Sequence, residues 1–245
     1  MKRTLRISIL AILAFAIILL VRLPASWLEG FLPPDIACTE VSGSAWDGSC
    51  SGLAYHGAPV GNLTWELHPA ALLRGKLAAF VDLARGDDFI RGDIEVGRGG
   101  TYVAHDLQAQ TPLDPPPLPE LSSGYSGNVS VNLASLQVEK NIVVALEGQI
   151  ETTSLYSKRD RMAIGGYSVT FPKAPAGAEP VGQVTSLDAP VDFQGTLKLT
   201  RAPGWVVDGK VRVKPDTPPE LAKQLEYLGR PDADGTRPLS LEGTF

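Results

Sequence analysis

The chain has 245 residues and a formal net charge of −5, with 44% apolar and 20% charged residues. Its 25 glycines and 20 prolines make up about 18% of the sequence. This argues against a mostly helical protein, because both residue types destabilise helix interiors. The apolar content argues against global disorder, and the acidic balance argues against a nucleic acid as partner.

The basic charge is concentrated at the N-terminus. Lys2, Arg3, Arg6 and Arg22 all lie within the first 23 residues, which contain no acidic residue. The rest of the chain carries 18 basic and 27 acidic side chains, a net charge of −9. The basic end is therefore a separate element attached to an acidic body.

Residues 7–21 (ISILAILAFAIILLV) are apolar apart from Ser8 and contain no Gly or Pro. Counted from Leu5 to Leu23, a helix would rise about 28 Å, close to the thickness of a bilayer core. We therefore predict a single transmembrane anchor over 7–23. Basic residues near a first membrane helix stay in the cytoplasm, which places residues 1–6 there and the body, 24–245, on the outer side of the membrane.

Two alternatives to an anchor follow from the same segment. A cleaved secretory signal also has an apolar stretch of this length, although Arg22 and Pro24 follow it and Pro24-Ala25-Ser26 is only a weak cleavage site. The sequence leaves cleavage open. A buried helix of a soluble protein fits less well, because the segment is apolar on every face.

The two cysteines, Cys38 and Cys50, lie early in the exported body. An oxidising compartment favours a disulfide between them over two free buried thiols. Two cysteines alone cannot form a structural zinc site.

A glycine followed by alternating polar and apolar residues recurs through the body. Period-two alternation predicts strands with one apolar and one polar face, and we expect the glycine at the start of each strand. The expected fold is mostly β, a curved antiparallel sheet of roughly 10 to 14 strands, half-barrel or groove-like. The runs begin at Gly61, Gly92, Gly127, Gly195 and Gly209.

The apolar positions of these runs define a predicted inner face. It is either the core of the body or a groove for acyl chains, and the core is the simpler interpretation. Its residues are Leu63, Trp65, Val129, Val131, Leu197, Leu199, Val211 and Val213.

One or two short helices are expected. His68 to Leu73 predicts a turn or two, and Thr217-Pro218-Pro219-Glu220 predicts a helix with Thr217 as N-cap that ends after Leu228. Residues 112–119 (PLDPPPLP) read as an extended linker that divides the body into two halves.

No group of residues predicts an enzyme, a metal site or a cofactor. The three histidines lack the spacing of metal ligands on one helix face. Gly48-Ser-Cys-Ser-Gly52 has the spacing of a nucleophile elbow, but no helix follows it. Asp232-Ala-Asp-Gly235 begins like a calcium loop and lacks the closing Glu, which favours a plain turn.

Several segments in this order resemble protein N of the type II secretion system, also called general secretion pathway protein N. The resemblance covers nearly the whole chain. The segments are Gly43-Ser-Ala-Trp-Asp-Gly48, then Trp65, Pro69, Leu73 and Gly75, then Gly165-Gly-Tyr167, Gly195 to Leu199 with Trp205, and Leu228 to Gly235.

The resemblance implies a single-pass inner-membrane protein of the Gram-negative envelope, with its body, 24–245, in the periplasm. Such a protein is an accessory part of the machine that exports folded proteins across the outer membrane. It implies no catalytic residues. We expect a scaffold that contacts the inner-membrane platform or the outer-membrane secretin by strand addition. The alternative is an envelope lipid-binding or lipid-bridging module with a groove similar to that of AsmA-like proteins.

Overall fold

A computed structural model describes residues 22–30, 32–114, 124–175, 177–202, 204–215 and 217–244. Residues 7–21 of the predicted anchor and residues 115–119 of the predicted linker lie outside the described residues. Within the described part of the chain, no helix has both the length and the apolar character needed to cross a membrane.

The described residues form a mostly β body with three short helices. The helices are α1 (Ser26–Glu29), α2 (Pro69–Leu72) and α3 (Pro219–Glu226). The strands are β1 (Ile36–Ala37), β2 (Glu40–Gly43), β3 (Asp47–Tyr55), β4 (Ala58–Leu67), β5 (Leu77–Arg85), β6 (Asp88–Val96), β7 (Thr101–Pro112), β8 (Tyr125–Glu139), β9 (Ile142–Ser157), β10 (Met162–Phe171), β11 (Val181–Ser186), β12 (Val191–Thr200), β13 (Gly204–Val213) and β14 (Thr236–Thr244).

All strands belong to one antiparallel sheet, and from β3 to β14 each strand pairs with the next one in sequence. β1 and β2 both pair with β3 at one margin, and β14 forms the other. The sheet is open among the described residues, since β14 pairs only with β13. This confirms a mostly β, antiparallel fold.

The sheet runs without interruption past the predicted linker. β7 pairs with β8 from Thr101↔Glu139 to Pro112↔Asn128, so the strands on either side of 115–123 are neighbours. The division of the body into two halves stays a prediction.

The two faces of the sheet differ sharply in polarity. Cross-strand partners in an antiparallel sheet project to the same face, so the register identifies rows of side chains. One row is polar in every strand from β4 to β14: Thr64, Asp82, Arg91, Gln108, Asn132, Gln149, Thr170, Gln183, Thr196, Asp208 and Ser240.

The adjacent row lies on the opposite face and contains only apolar residues and glycine. We call this the apolar face. The row comprises Leu63, Leu83, Ile90, Ala109, Val131, Ile150, Val169, Val184, Gly195, Gly209 and Leu239.

The C-terminal part of the sheet curls over its own apolar face. Cα atoms of β9 and β12 come within 8 Å of each other, whereas three strand spacings in a flat sheet would separate them by about 14 Å. Leu197 and Leu199 of β12 consequently pack against Leu133, Leu146 and Phe171. The curl therefore buries apolar surface without a second layer.

α3 covers another part of the apolar face. Its Leu221 and Leu225, with Leu228 just beyond it, pack against a buried cluster of Val184, Val191, Phe193 and Val211. The C-terminal core is therefore made by the curled strands and this one amphipathic helix.

Glycines on the apolar face make room for aromatic rings. Gly195 and Gly209 are cross-strand partners, and a Cβ on either would lie within 3.0 Å of the tip of the Phe193 ring. A Cβ on Gly48 would likewise lie 2.5 Å from the ring of its partner Trp65. The expectation that glycines mark strand starts is wrong: these glycines lie inside strands, where packing across the sheet requires them.

Three sequence expectations about helices need correction. α1 makes a third short helix where one or two were expected. Thr217 is not the N-cap of α3, because Pro218 takes that position, while the Thr217 hydroxyl accepts the Lys214 N–H and donates to the Pro190 carbonyl. α3 ends at Glu226 and not after Leu228. The predicted short helix after His68 is confirmed as α2.

Replacement of Gly195 by Ala should destabilise the body by about 1–3 kcal/mol, because the new methyl group overpacks this site. Its Cβ would lie 2.3 Å from the Asp208 carbonyl oxygen. Gly97→Ala is the matched control, since that Cβ would make only ordinary contacts at 3.6 Å. Urea unfolding of both variants tests this, and equal midpoints would contradict the packing role of Gly195.

Candidate functional site

The turn from β2 to β3 joins the start of the described chain to the sheet. It contains the Gly43-Ser-Ala-Trp-Asp-Gly48 segment, and the Ser44 hydroxyl accepts the backbone N–H groups of Trp46 and Asp47. The Ala45 N–H donates to the Leu23 carbonyl at 2.8 Å, and the Ala25 N–H donates to the Gly43 carbonyl at 3.1 Å. We call this turn, with Leu23–Ala25, the anchor joint.

β4 is fixed to the same joint. The Trp65 indole Nε1 donates to the Ala45 carbonyl at 3.1 Å, and the Leu67 N–H donates to the Trp46 carbonyl. Ala25 and Ala45 are buried at the centre of these contacts. Leu23, the last residue of the predicted membrane segment, is therefore hydrogen-bonded to the turn that enters the sheet.

An apolar groove of about 500 Å³ opens beside the anchor joint, on the apolar face of β3, β4 and β5. Residues of β1 and β2, together with Ala25, Leu28 and Leu32, line the rest of it. None of the lining residues carries a charge. They are Ala25, Leu28, Leu32, Ile36, Cys38, Val41, Cys50, Leu53, Tyr55, Val60, Leu63, Trp65, Leu67, Leu77, Val81 and Leu83.

The groove wall is closed by a disulfide between Cys38 and Cys50. Cys50 is almost completely buried in β3, while Cys38 lies between β1 and β2. The bond thus fixes the segment that leads into β2 against the sheet. Because Cys50 is bonded in this way, Gly48–Gly52 offers no nucleophilic thiol.

The structure places all eight predicted face residues on the apolar face, but in different surroundings. Leu63 and Trp65 line the groove. Val131, Leu197 and Leu199 pack around the buried Leu133, Leu146 and Phe171. The others are Val211, buried in the α3 cluster, Val213 opposite Val191, and Val129 opposite Thr111.

Several groove residues were not anticipated from the sequence. Val81 and Leu83 lie in β5, where the alternation of Leu77–Arg85 is a usable signal, since Leu77, Ala79, Val81 and Leu83 share one face. Leu28 and Leu32 precede the first strand and show no period-two pattern. They join the groove only because the chain crosses the apolar face after the anchor joint.

The charged groups lie away from the groove. Glu95 pairs with Ala78 on the polar face, where Lys76 Nζ lies 2.8 Å from its Oε2, and this hydrogen bond lowers the pKa of Glu95 below its ordinary value. Asp232–Gly235 forms a turn, and the Thr236 hydroxyl lowers the pKa of Asp234. No group of three or more metal-ligating side chains occurs among the described residues.

Comparison with known proteins gives a consistent result. The family model of type II secretion system (T2SS) protein N matches residues 34–240. The type II secretion system protein N of Aeromonas hydrophila is 27% identical over 99% of both chains. The protein of the same name from Vibrio cholerae is 26% identical over 86% of both chains. No solved structure gives a significant match.

Removal of the disulfide by the double change Cys38→Ala and Cys50→Ala should lower the free energy of unfolding by about 2–4 kcal/mol, mainly through the greater entropy of the unfolded chain. Urea unfolding followed by tryptophan fluorescence measures the effect.

Ser42→Ala with Ser49→Ala is the matched control in the same pair of strands, because their exposed hydroxyls make only a 2.8 Å hydrogen bond. We expect a change of about 0.5 kcal/mol or less there. Equal losses of unfolding free energy in the two double variants would show that the disulfide itself does not stabilise the body.

Proposed function

Because the chain belongs to the family of type II secretion system protein N, we propose that it is an inner-membrane accessory component of that system. In this proposal residues 7–23 anchor the chain, and the β-rich body stands in the periplasm as an interaction scaffold. The chain then acts without catalysis or a cofactor, by holding other secretion components near the membrane.

Two features support this placement. The apolar segment 7–21 ends two residues before Leu23, which is hydrogen-bonded to Ala45, so the body sits directly against the end of the segment. The disulfide agrees with an oxidising compartment outside the cytoplasm.

The observation that carries the scaffold role is the free margin of β14. Among the described residues this nine-residue strand pairs only with β13, so its outer backbone groups are open to another strand. Pro238 has no backbone N–H to donate, whereas every residue from Leu239 to Thr244 has one. An extended segment of an inner-membrane platform protein or of the outer-membrane secretin would add to this edge.

A photo-cross-linking amino acid at Glu242 tests the edge in secreting cells. We expect cross-links to another type II secretion component. Asn132 is the matched control, because it is an exposed polar residue in β8, a strand paired on both sides. Equal yields from both positions, or recovery of no secretion component from position 242, would refute strand addition at β14.

The apolar groove favours a second candidate function, the binding of a lipid acyl chain. Its uncharged lining and its opening beside the predicted anchor suit the tail of a membrane lipid. In this case the protein is an envelope lipid-binding or lipid-bridging module, and the secretion components use the lipid-loaded form.

Native mass spectrometry of the full chain purified from membranes should then detect a bound phospholipid. Leu63→Asp should abolish that mass shift, because it places a charge on the groove wall. Thr64→Asp is the matched control, since the neighbouring side chain projects to the polar face of β4. A bare chain in the wild type, or equal loss in both variants, would eliminate this function.

A further inference from the structure

The loop between β4 and β5, residues 68–76, lies at the same end of the sheet as the anchor joint. β4 ends at Leu67, whose N–H is bonded to Trp46 of the joint, and the chain enters α2 two residues later. We call residues 68–76 the leucine loop. From its position, exposure and charge we propose that this loop docks the body on the anionic lipid surface of the membrane in which the chain is anchored.

The leucine loop presents apolar side chains to solvent. Leu73 has 91% of its surface exposed and Leu72 has 46%. Trp27, four residues beyond Leu23, is 60% exposed. A Trp at this distance from a membrane segment suits the interfacial zone, and leucines at a fixed tip suit shallow insertion below the headgroups.

The exposure of Leu73 comes from a loop that is tied down. Ala71 is buried against the sheet, and its carbonyl accepts the N–H groups of Arg74 and Lys76. The Gly75 N–H donates to Leu72, and the His68 N–H donates to Ala78 across the base. These bonds hold the loop so that Leu72 and Leu73 project into solvent and are not buried against the body.

Basic side chains surround the leucines. Arg74 and Lys76 lie in the loop. Arg98 lies in the loop between β6 and β7, and its guanidinium lies over Gly75, 3.2 Å from where a Cβ would be. Glu95 neutralises Lys76, while Arg74 and Arg98 are exposed. Since the body as a whole is acidic, an anionic surface repels most of it and attracts this tip.

A lipid surface explains these features together better than a protein partner does. The anchor joint holds the loop near the point where the membrane segment ends, so the bilayer is the nearest apolar phase. Exposed leucines beside the exposed Arg74 and Arg98 match the layering of a bilayer surface, with acyl chains below and phosphates above. This inference rests on the proposed anchorage of residues 7–23.

The test uses the full chain in nanodiscs that contain phosphatidylglycerol, with an environment-sensitive fluorescent amino acid at position 73. Lipids brominated in their acyl chains should quench this fluorophore strongly. Asp87 is the matched control position, because it lies in the turn between β5 and β6 at the other end of β5, about 26 Å away along the strand. The fluorophore at position 87 should remain unquenched.

Reversing the charges of the loop arginines distinguishes docking of the leucine loop from tethering of the chain by residues 7–23. Arg74→Glu with Arg98→Glu should abolish quenching at position 73 while the chain stays in the nanodisc. Arg159→Glu with Lys223→Glu changes the net charge equally at exposed sites of the opposite end, and should leave quenching intact. Absence of quenching at position 73 in the inserted wild type would overturn lipid docking, as would equal effects of the two double reversals.

A separate experiment tests the anchorage of residues 7–23. If alkaline carbonate extracts the chain from membranes, the proposed anchor is wrong. Flotation with phosphatidylglycerol vesicles then tests docking alone. Binding that is lost in the Arg74→Glu, Arg98→Glu variant supports the inference, and absence of binding by the wild type overturns it.

Discussion

A single-layered sheet with one apolar face must hide that face from water, and this constraint governs the body. The apolar row extends from β4 to β14, whereas the described helices contain only four, four and eight residues. The chain meets the constraint differently at its two ends. At the C-terminal end β9 and β12 curl together and α3 fills the remaining gap. At the N-terminal end the Ala25–Ile36 segment crosses the face and leaves the apolar groove.

Local alternation was enough to predict strands at β4, β6, β8, β12 and β13, because period two is a property of neighbouring positions. Leu63 and Trp65 therefore belong to the groove wall as residues of a recognisable strand. Alternation and the glycines also predicted a curved sheet, but not which strands would meet. β9 and β12 come together through Leu197 and Leu199, which pack on Leu133 and Leu146 from distant parts of the chain and give no local signal.

The same distinction explains which site residues the sequence missed. Leu28 and Leu32 precede the strands and follow no alternating pattern, and only the anchor joint directs them over the apolar face. Thr217 has the sequence signature of an N-cap, yet its hydroxyl bonds to Lys214 and Pro190 and joins the strand ends beneath α3. Non-local hydrogen bonds overrode a local preference there.

The anchor joint connects these features to a role in the envelope. Ala45 binds two partners: its N–H donates to the Leu23 carbonyl, and its carbonyl accepts the Trp65 indole N–H. One residue therefore connects the start of the described chain to the groove wall. Under the proposed anchorage of residues 7–23, a body joined this closely to the anchor would have little freedom to tumble. Its groove, its leucine loop and the free edge of β14 would then keep fixed positions relative to the bilayer. In the proposed scaffold role, holding these surfaces at fixed positions would do for binding what the positioning of catalytic residues does for an enzyme.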